Sequence, residues 1–385
     1  MYMAMPKKTY QCPIHSGSQD NQRDHYDELR NKDPLTRDKN GNWWALSHED
    51  VVDILENHKT FSNKVSSHIS VPNSMDPPEH TYYRALIEPY LAKEFISKSS
   101  DDFRAISQAL VRTAVESNCT EVTGELGFPY AARAQCAFLG WPTDVAKTLA
   151  QWTLENQQAA RNQDRDRLSE LARQFESLVK SIIKQQDSVQ ESQTLTHSLI
   201  EEKINGRRLS LKELTSIFRN WTVGEVGSLS ASVGIILYYL STCPHILDHL
   251  KQANAKVMEA ALDEILRIHG PLVSNRRKVT RKITSRGKTL KPDDIIYINW
   301  ISANRDSHVF REPDAFNPEQ NKDKNLLYGR GIHKCPGADL ARMELRIFFE
   351  ELFKQVDEIS LAPEKSIRYA KYPASGFSKL SLNLN

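Results

Sequence analysis

Apolar residues recur at three- and four-residue spacing along most of the chain, while strict alternation is confined to short runs. A first helix is predicted over residues 24–32. Residues 41–46 read as a strand that follows a Lys-Asn-Gly-Asn turn. Ser47 is placed to cap a second helix, whose apolar face is Val51, Val52, Ile54 and Leu55. Residues 61–74 are polar and loop-like. Asp76, Pro77 and Pro78 then start a helix that sets His80 and Arg84 four apart, on one face. Residues 101–205 keep a helical pattern, broken at Gly124, at Gly127 to Pro129 and at Gly140 to Pro142. Within it, residues 156–191 are strongly polar and read as one or two solvent-facing helices. Ser210 and Glu213 form a capping box that opens the longest helical pattern, which runs to about Leu240. Another amphipathic helix carries Glu264 and Arg267 and ends at His269, Gly270 and Pro271. Extended runs follow Leu272 and Ile295, and short strands return after Ile359. The pattern is mainly α with small β-sheets, consistent with a single domain over 1–385 whose residues 1–20 form a loosely ordered segment.

Composition narrows the function classes. The 385 residues are 39% hydrophobic and 26% charged, as in a soluble globular protein. A net charge of +2 gives no general case for nucleic acid or a membrane surface. The five cysteines, Cys12, Cys119, Cys136, Cys243 and Cys335, are odd in number and widely spread. No two form a C-x-x-C pair, so neither a disulfide framework nor a zinc site is expected. The first residues lack the apolar core of a signal peptide, and no apolar run is expected to span a membrane. The expected setting is cytoplasmic.

Two stretches carry candidate chemistry. Residues 325–344 contain a Gly-rich loop (Tyr328, Gly329, Arg330, Gly331), then Cys335, then a helical pattern. Cys335 thus falls at or just before a helix N-terminus, with Pro336 suited to the first helical position. The helix dipole there favours a thiolate. The glycines let the backbone approach a flat ligand closely. In the long helix, Gly224, Gly227, Ser228 and Ala231 fall on one face almost without side chains. Each mid-helix glycine costs about 1 kcal/mol relative to alanine, so something must occupy that face: a neighbouring helix or a flat ligand.

Tyr328-x-x-Gly331-x-x-x-Cys335-x-Gly337 resembles the haem-thiolate loop of the cytochromes P450, with Tyr328 where that family usually has Phe. The resemblance extends in order from about Asn42 to Leu384. It includes the stretch with His80 and Arg84, and Ala303-Asn304-Arg305-Asp306. It implies the cytochrome P450 fold and haem b (iron protoporphyrin IX) with an axial thiolate from Cys335. His80, Arg84, His333 and Arg277 (or its neighbour Arg276) would bind the propionates, and Gly224, Tyr328 and Gly337 would border the macrocycle. Glu264 and Arg267 match a structural pair whose third partner is usually Arg or His; Gln320 stands there, so the triad is incomplete or uses another residue. The long helix departs from the family pattern: in Val223-Gly224-Glu225-Val226-Gly227-Ser228 the acid is one position early and the alcohol one late. The expectation is that Glu225 feeds protons and Ser228 anchors a relay water. Thr222, Leu272, Ser274 and Phe377 are expected to line the substrate pocket.

The implied activity is monooxygenation of a small organic substrate with O2, by hydroxylation or oxidative O-demethylation. The chain contains neither a G-x-G-x-x-G fingerprint nor a cysteine cluster, so electrons are expected from a ferredoxin and its reductase. Arg330, Lys334, Arg342 and Arg346 would form the docking face. A peroxide-driven peroxygenase and a non-catalytic haem-based sensor or carrier are the alternatives.

Overall fold

The computed structural model describes residues 22–66, 69–117, 119–187, 194–362 and 367–385. The expectation for residues 1–20, and Cys12 with them, lies outside the described residues. The expected helices form. Gln22–Lys32 is followed by the antiparallel strands Leu35–Arg37 and Trp43–Ala45, then by His48–Glu56 with Ser47 as its N-cap. His80 and Arg84 lie on the helix Glu79–Ile87. The polar stretch becomes two helices, Val145–Asn162 and Arg165–Asp187, and each buries an apolar stripe.

The central helix, Leu211–Thr242, opens on the predicted capping box: Ser210 Oγ accepts from the Glu213 N–H while the Glu213 carboxylate accepts from the Ser210 N–H. Its C-terminal half is buried almost without interruption, and it packs against Phe128–Leu139, Val145–Asn162 and Ala255–His269. Contrary to the sequence expectation, this helix is long and apolar enough to cross a membrane by composition. Its most apolar window, however, is 67% buried within the protein, which makes it the core helix of the domain.

Five strands form the main sheet, in the order Leu35–Arg37, Trp43–Ala45, Ile295–Asn299, Ser274–Val279, Phe61–Ser62. The parallel pairing of Ile295–Asn299 with Trp43–Ala45 ties the C-terminal half back to the first hairpin. A three-stranded sheet unites Ile359–Leu361, Ser381–Leu384 and Thr120–Glu121. One continuous apolar core surrounds the central helix, and a smaller one lies under the main sheet. The helix after the cysteine runs Ala338–Phe353 with Gly337 at its N-cap, so it begins later than Pro336 suggested.

Candidate active site

The loop before Cys335 is held by backbone contacts that its glycines permit. Gly331 has φ +71°, and a Cβ there would collide with the Leu55 carbonyl at the end of the helix His48–Glu56. The Cys335 N–H donates to the Tyr328 carbonyl at 2.8 Å. The Tyr328 hydroxyl, which a Phe would lack, donates to Asp263 Oδ1 at 3.1 Å. Arg342 covers its ring at 4.5 Å and binds Asp263 at 2.8 Å. The Tyr for Phe exchange therefore comes with its own partners, Asp263 and Arg342.

Cys335 is the one exposed cysteine among the described residues, yet it lies deep in the protein. Its side chain borders interior space. Burial pushes the thiol pKa up, while the Gly337 N–H and the charges of Arg84 and Arg342 pull it down. Two glycines border open space as well: a Cβ at Gly224 or at Gly337 would meet no atom within 4 Å. Gly227 differs, because a Cβ there would lie 2.5 Å from Gln157 Nε2. Gly227 admits a neighbouring helix, whereas Gly224 faces open space.

A basic cluster closes one side. The rings of His80 and His333 meet edge to face, 4.3 Å apart, and the Nε2 of each is buried without a hydrogen-bond partner. Arg277 is buried and Arg276 exposed, as alternation along the strand requires. Arg277 Nη1 donates only to the adjacent Arg276 carbonyl, at 2.9 Å, and burial lowers its pKa to about 10. His333 is pushed down to about 3, first by burial and then by His80, Arg277, Arg84 and His58. Arg84 is engaged elsewhere, with Glu88 and with the Lys334 carbonyl at 2.9 Å. Buried polar atoms are normally paired, so the two imidazole nitrogens and the depressed basic groups point to missing acceptors and negative charge. Haem propionates supply both, and the open cysteine and glycines leave room for the ring. The residues present fit the group.

Other expected site residues fall differently. Ser228 Oγ donates to the Gly224 carbonyl at 2.5 Å, the usual bond of a mid-helix serine, and does not meet the Glu225 carboxyl. That carboxyl faces Glu344 on the helix Ala338–Phe353, and burial pushes the pKa of both acids up. Thr222 has no exposed surface and donates to the Phe218 carbonyl at 2.9 Å, so it does not line a pocket. Phe377 packs between Tyr238 and Tyr369 beside Gly234, about 15 Å along the helix from Gly224. It borders a separate cavity of about 40 Å³ that His269 and Arg23 also line. Leu272 is 43% exposed. Ser274 Oγ lies 3.3 Å from the Tyr372 hydroxyl.

Behind the loop, Glu264 and Arg267 pair at 2.8 Å. Arg267 also donates to the carbonyls of Asn304, Pro313 and Ala315. Asn321 Nδ2 and the Asn317 N–H complete Glu264 at 2.7 and 3.0 Å, while Gln320 is exposed. Sequence reasoning missed Asn321, one residue beyond the position it examined. It also missed Glu344, although Glu344 stands four residues from both Leu340 and Phe348, on the buried stripe. On the expected docking face, Arg330 pairs with Glu56, Arg342 with Asp263 and Asp339, and Arg346 with Glu259 and Glu350. Lys334 is exposed.

The family profile described as Cytochrome P450 matches residues 138–367. A Bacillus subtilis protein named Cytochrome P450 is 27% identical over 369 residues, covering 88% of each chain. The Erythromycin C-12 hydroxylase of Saccharopolyspora erythraea is 24% identical over 348 residues, covering 86% of each. The solved structure of open cytochrome P450 EryK from S. erythraea superposes with a TM-score of 0.86 at 21% identity, covering 94% of this chain and 95% of that one. The chain belongs to the cytochrome P450 family and is an oxidoreductase of its monooxygenase class.

Proposed function

We propose that this enzyme hydroxylates an apolar organic molecule in the interior space between the central helix and the cysteine loop, using O2 and electrons from a separate ferredoxin and its reductase. The observation that carries the reading is the pair of buried, unpartnered ring nitrogens, His80 Nε2 and His333 Nε2, beside Arg277 and the open Cys335. Cys335 would hold haem b through its thiolate, with His80, His333 and Arg277 binding the propionates through charge-assisted bonds. Bound there, haem supplies the oxygen chemistry, which a thiolate ligand favours.

The chain supplies position and protonation. Gly224 and Gly337 keep clear the space on the two sides that a macrocycle would occupy. The Gly337 N–H and the charges of Arg84 and Arg342 favour the thiolate against burial. Arg84 also ties the helix Glu79–Ile87 to the cysteine loop through the Lys334 carbonyl. Ser228 has committed its proton to Gly224, which leaves its lone pairs to accept from a water. Val223 and Leu272 keep large exposed apolar surfaces on which a substrate would rest. Attack at a methyl ether carbon, followed by loss of formaldehyde, is the same reaction on an O-methyl substrate.

Electron delivery rests on a basic face around the cysteine loop. Lys334 provides its exposed charge, while the guanidinium groups of Arg330, Arg342 and Arg346 are already paired. The test is turnover under labelled O2 with a ferredoxin and reductase across a panel of apolar compounds. Hydroxylated product carrying one labelled oxygen is expected, with a rate that falls as salt is added. Product formed only with peroxide, or without label, would contradict the reading.

A further inference from the structure

The central helix, Leu211–Thr242, carries an arginine that the protein leaves without an acid. Other arginines that serve the fold are paired: Arg104 with Glu350 and Glu351, Arg305 with Asp27 and Asp314, Arg346 with Glu259 and Glu350. Arg219 is half-buried, and among the described residues no carboxylate pairs with it. Its guanidinium donates one hydrogen bond, from Nη2 to the Ile69 carbonyl at 3.3 Å. That carbonyl already accepts from Ser216 Oγ at 3.2 Å, so it does not need Arg219. A guanidinium has five N–H donors in a fork that fits a carboxylate, and most of them are unused here.

A second group beside it is also incomplete. Thr215 stands one turn earlier on the same face and is 6% exposed, yet its Oγ1 is buried without a hydrogen-bond partner. A mid-helix threonine turns to solvent or bonds the carbonyl four residues back, and this one does neither. One turn later on that face is Val223, 46% exposed, and Ile69 beside the guanidinium is 54% exposed. A positive fork and a hydroxyl thus stand next to open apolar surface. Gly224, which faces open space, is five residues from Arg219, about 7.5 Å along the helix axis. The acid that acts on Arg219 is Glu176 of Arg165–Asp187, which is exposed and acts only at longer range; burial lowers the Arg219 pKa against its pull.

We propose that the substrate is an apolar acid whose carboxylate is held by Arg219, with Thr215 Oγ1 as a further donor, and whose body runs along Val223 to the open space beside Gly224. A carboxylate completes both groups at once. It also selects acids over esters of the same shape, because a neutral group leaves the half-buried guanidinium without a counter-charge. The end of the molecule remote from the acid reaches Gly224, so hydroxylation falls on carbons away from the carboxylate. What happens to that end rests on the proposed function; the carboxylate site does not. The neighbouring loop stays tied to the helix without Arg219: Ser216 Oγ accepts from the Val71 N–H, and Asn220 Nδ2 donates to the Val71 carbonyl, each at 2.8 Å.

Equilibrium dialysis of octanoate, dodecanoate and naphthoate, each beside its methyl ester, tests the site on the full chain as purified. At least one acid should bind about tenfold or more tightly than its ester, and that preference should vanish in Arg219→Gln and survive in Arg219→Lys. Esters that bind as well as their acids in every pair, or a preference that Arg219→Gln leaves intact, would overturn the proposal. Thr215→Val should weaken the acid and leave the ester unchanged; equal weakening of both would overturn the part given to Thr215. An acid bound in this way but never oxidised with ferredoxin and reductase would defeat the proposed function and leave the carboxylate site standing. Oxidised product from acids and esters that bind equally would do the reverse.

Discussion

Two buried polar clusters flank the cysteine loop, and they are finished to different degrees. Around Arg267 the bonds close on themselves. Glu264 has Arg267, Asn317 and Asn321, and Arg267 has Glu264 and three carbonyls. Around His333, two ring nitrogens have no partner, and Arg277 bonds only to its neighbour's carbonyl. The first cluster is complete in the protein alone and serves the fold. The second leaves partners unmade within the protein, as the proposed haem site requires.

The comparison can be broken by substitution. Arg267→Ala leaves Glu264 buried without its counter-charge, and should cost about 3–5 kcal/mol in chemical denaturation. A cost below about 1 kcal/mol would remove the distinction between the clusters. Of smaller effect is the pH response of the facing acids Glu225 and Glu344. Burial raises Glu225 from its ordinary value of 4.5 to about 8, so the folded protein holds a proton that the unfolded chain releases. Stability from this source is greatest below about 4.5 and is lost as pH rises toward 8. The slope is at most about 1.4 kcal/mol per pH unit for one proton. Glu225→Gln should flatten that window in pH-dependent denaturation. The smallest effect on stability belongs to the second cluster. His80→Ala or His333→Ala in the haem-free protein should change stability by no more than about 1 kcal/mol, because no hydrogen bond at Nε2 is lost. Both should speed haem loss to an acceptor protein. Equal haem retention would show that the propionates lie elsewhere.

What could be read from the sequence was what neighbouring residues decide. The caps at Ser47 and Ser210, the pairing of residues 264 and 267, and the glycine-bound cysteine loop are local, and they form as expected. The rest depended on rotation and packing between distant segments. Thr222 sits two residues from Gly224 but turns inward to the Phe218 carbonyl. Phe377 lies on a hairpin whose tip meets the helix beside Gly234 instead of Gly224. The Glu225 carboxyl faces a helix that begins more than a hundred residues later in the chain, so helical spacing alone suggested Ser228 as its partner. Gln320 appeared to leave the pair at Glu264 incomplete because the partner, Asn321, is a different residue type one position further on.

The central claim is that Cys335 ligates haem in the space closed by His80, His333 and Arg277. The most direct test is the carbon monoxide difference spectrum of the reduced, purified protein beside that of Cys335→Ala. A strongly red-shifted Soret band in the wild type, lost in the variant, is the predicted result. A histidine-like band in folded wild-type protein, or a red-shifted band that survives in Cys335→Ala, would contradict it.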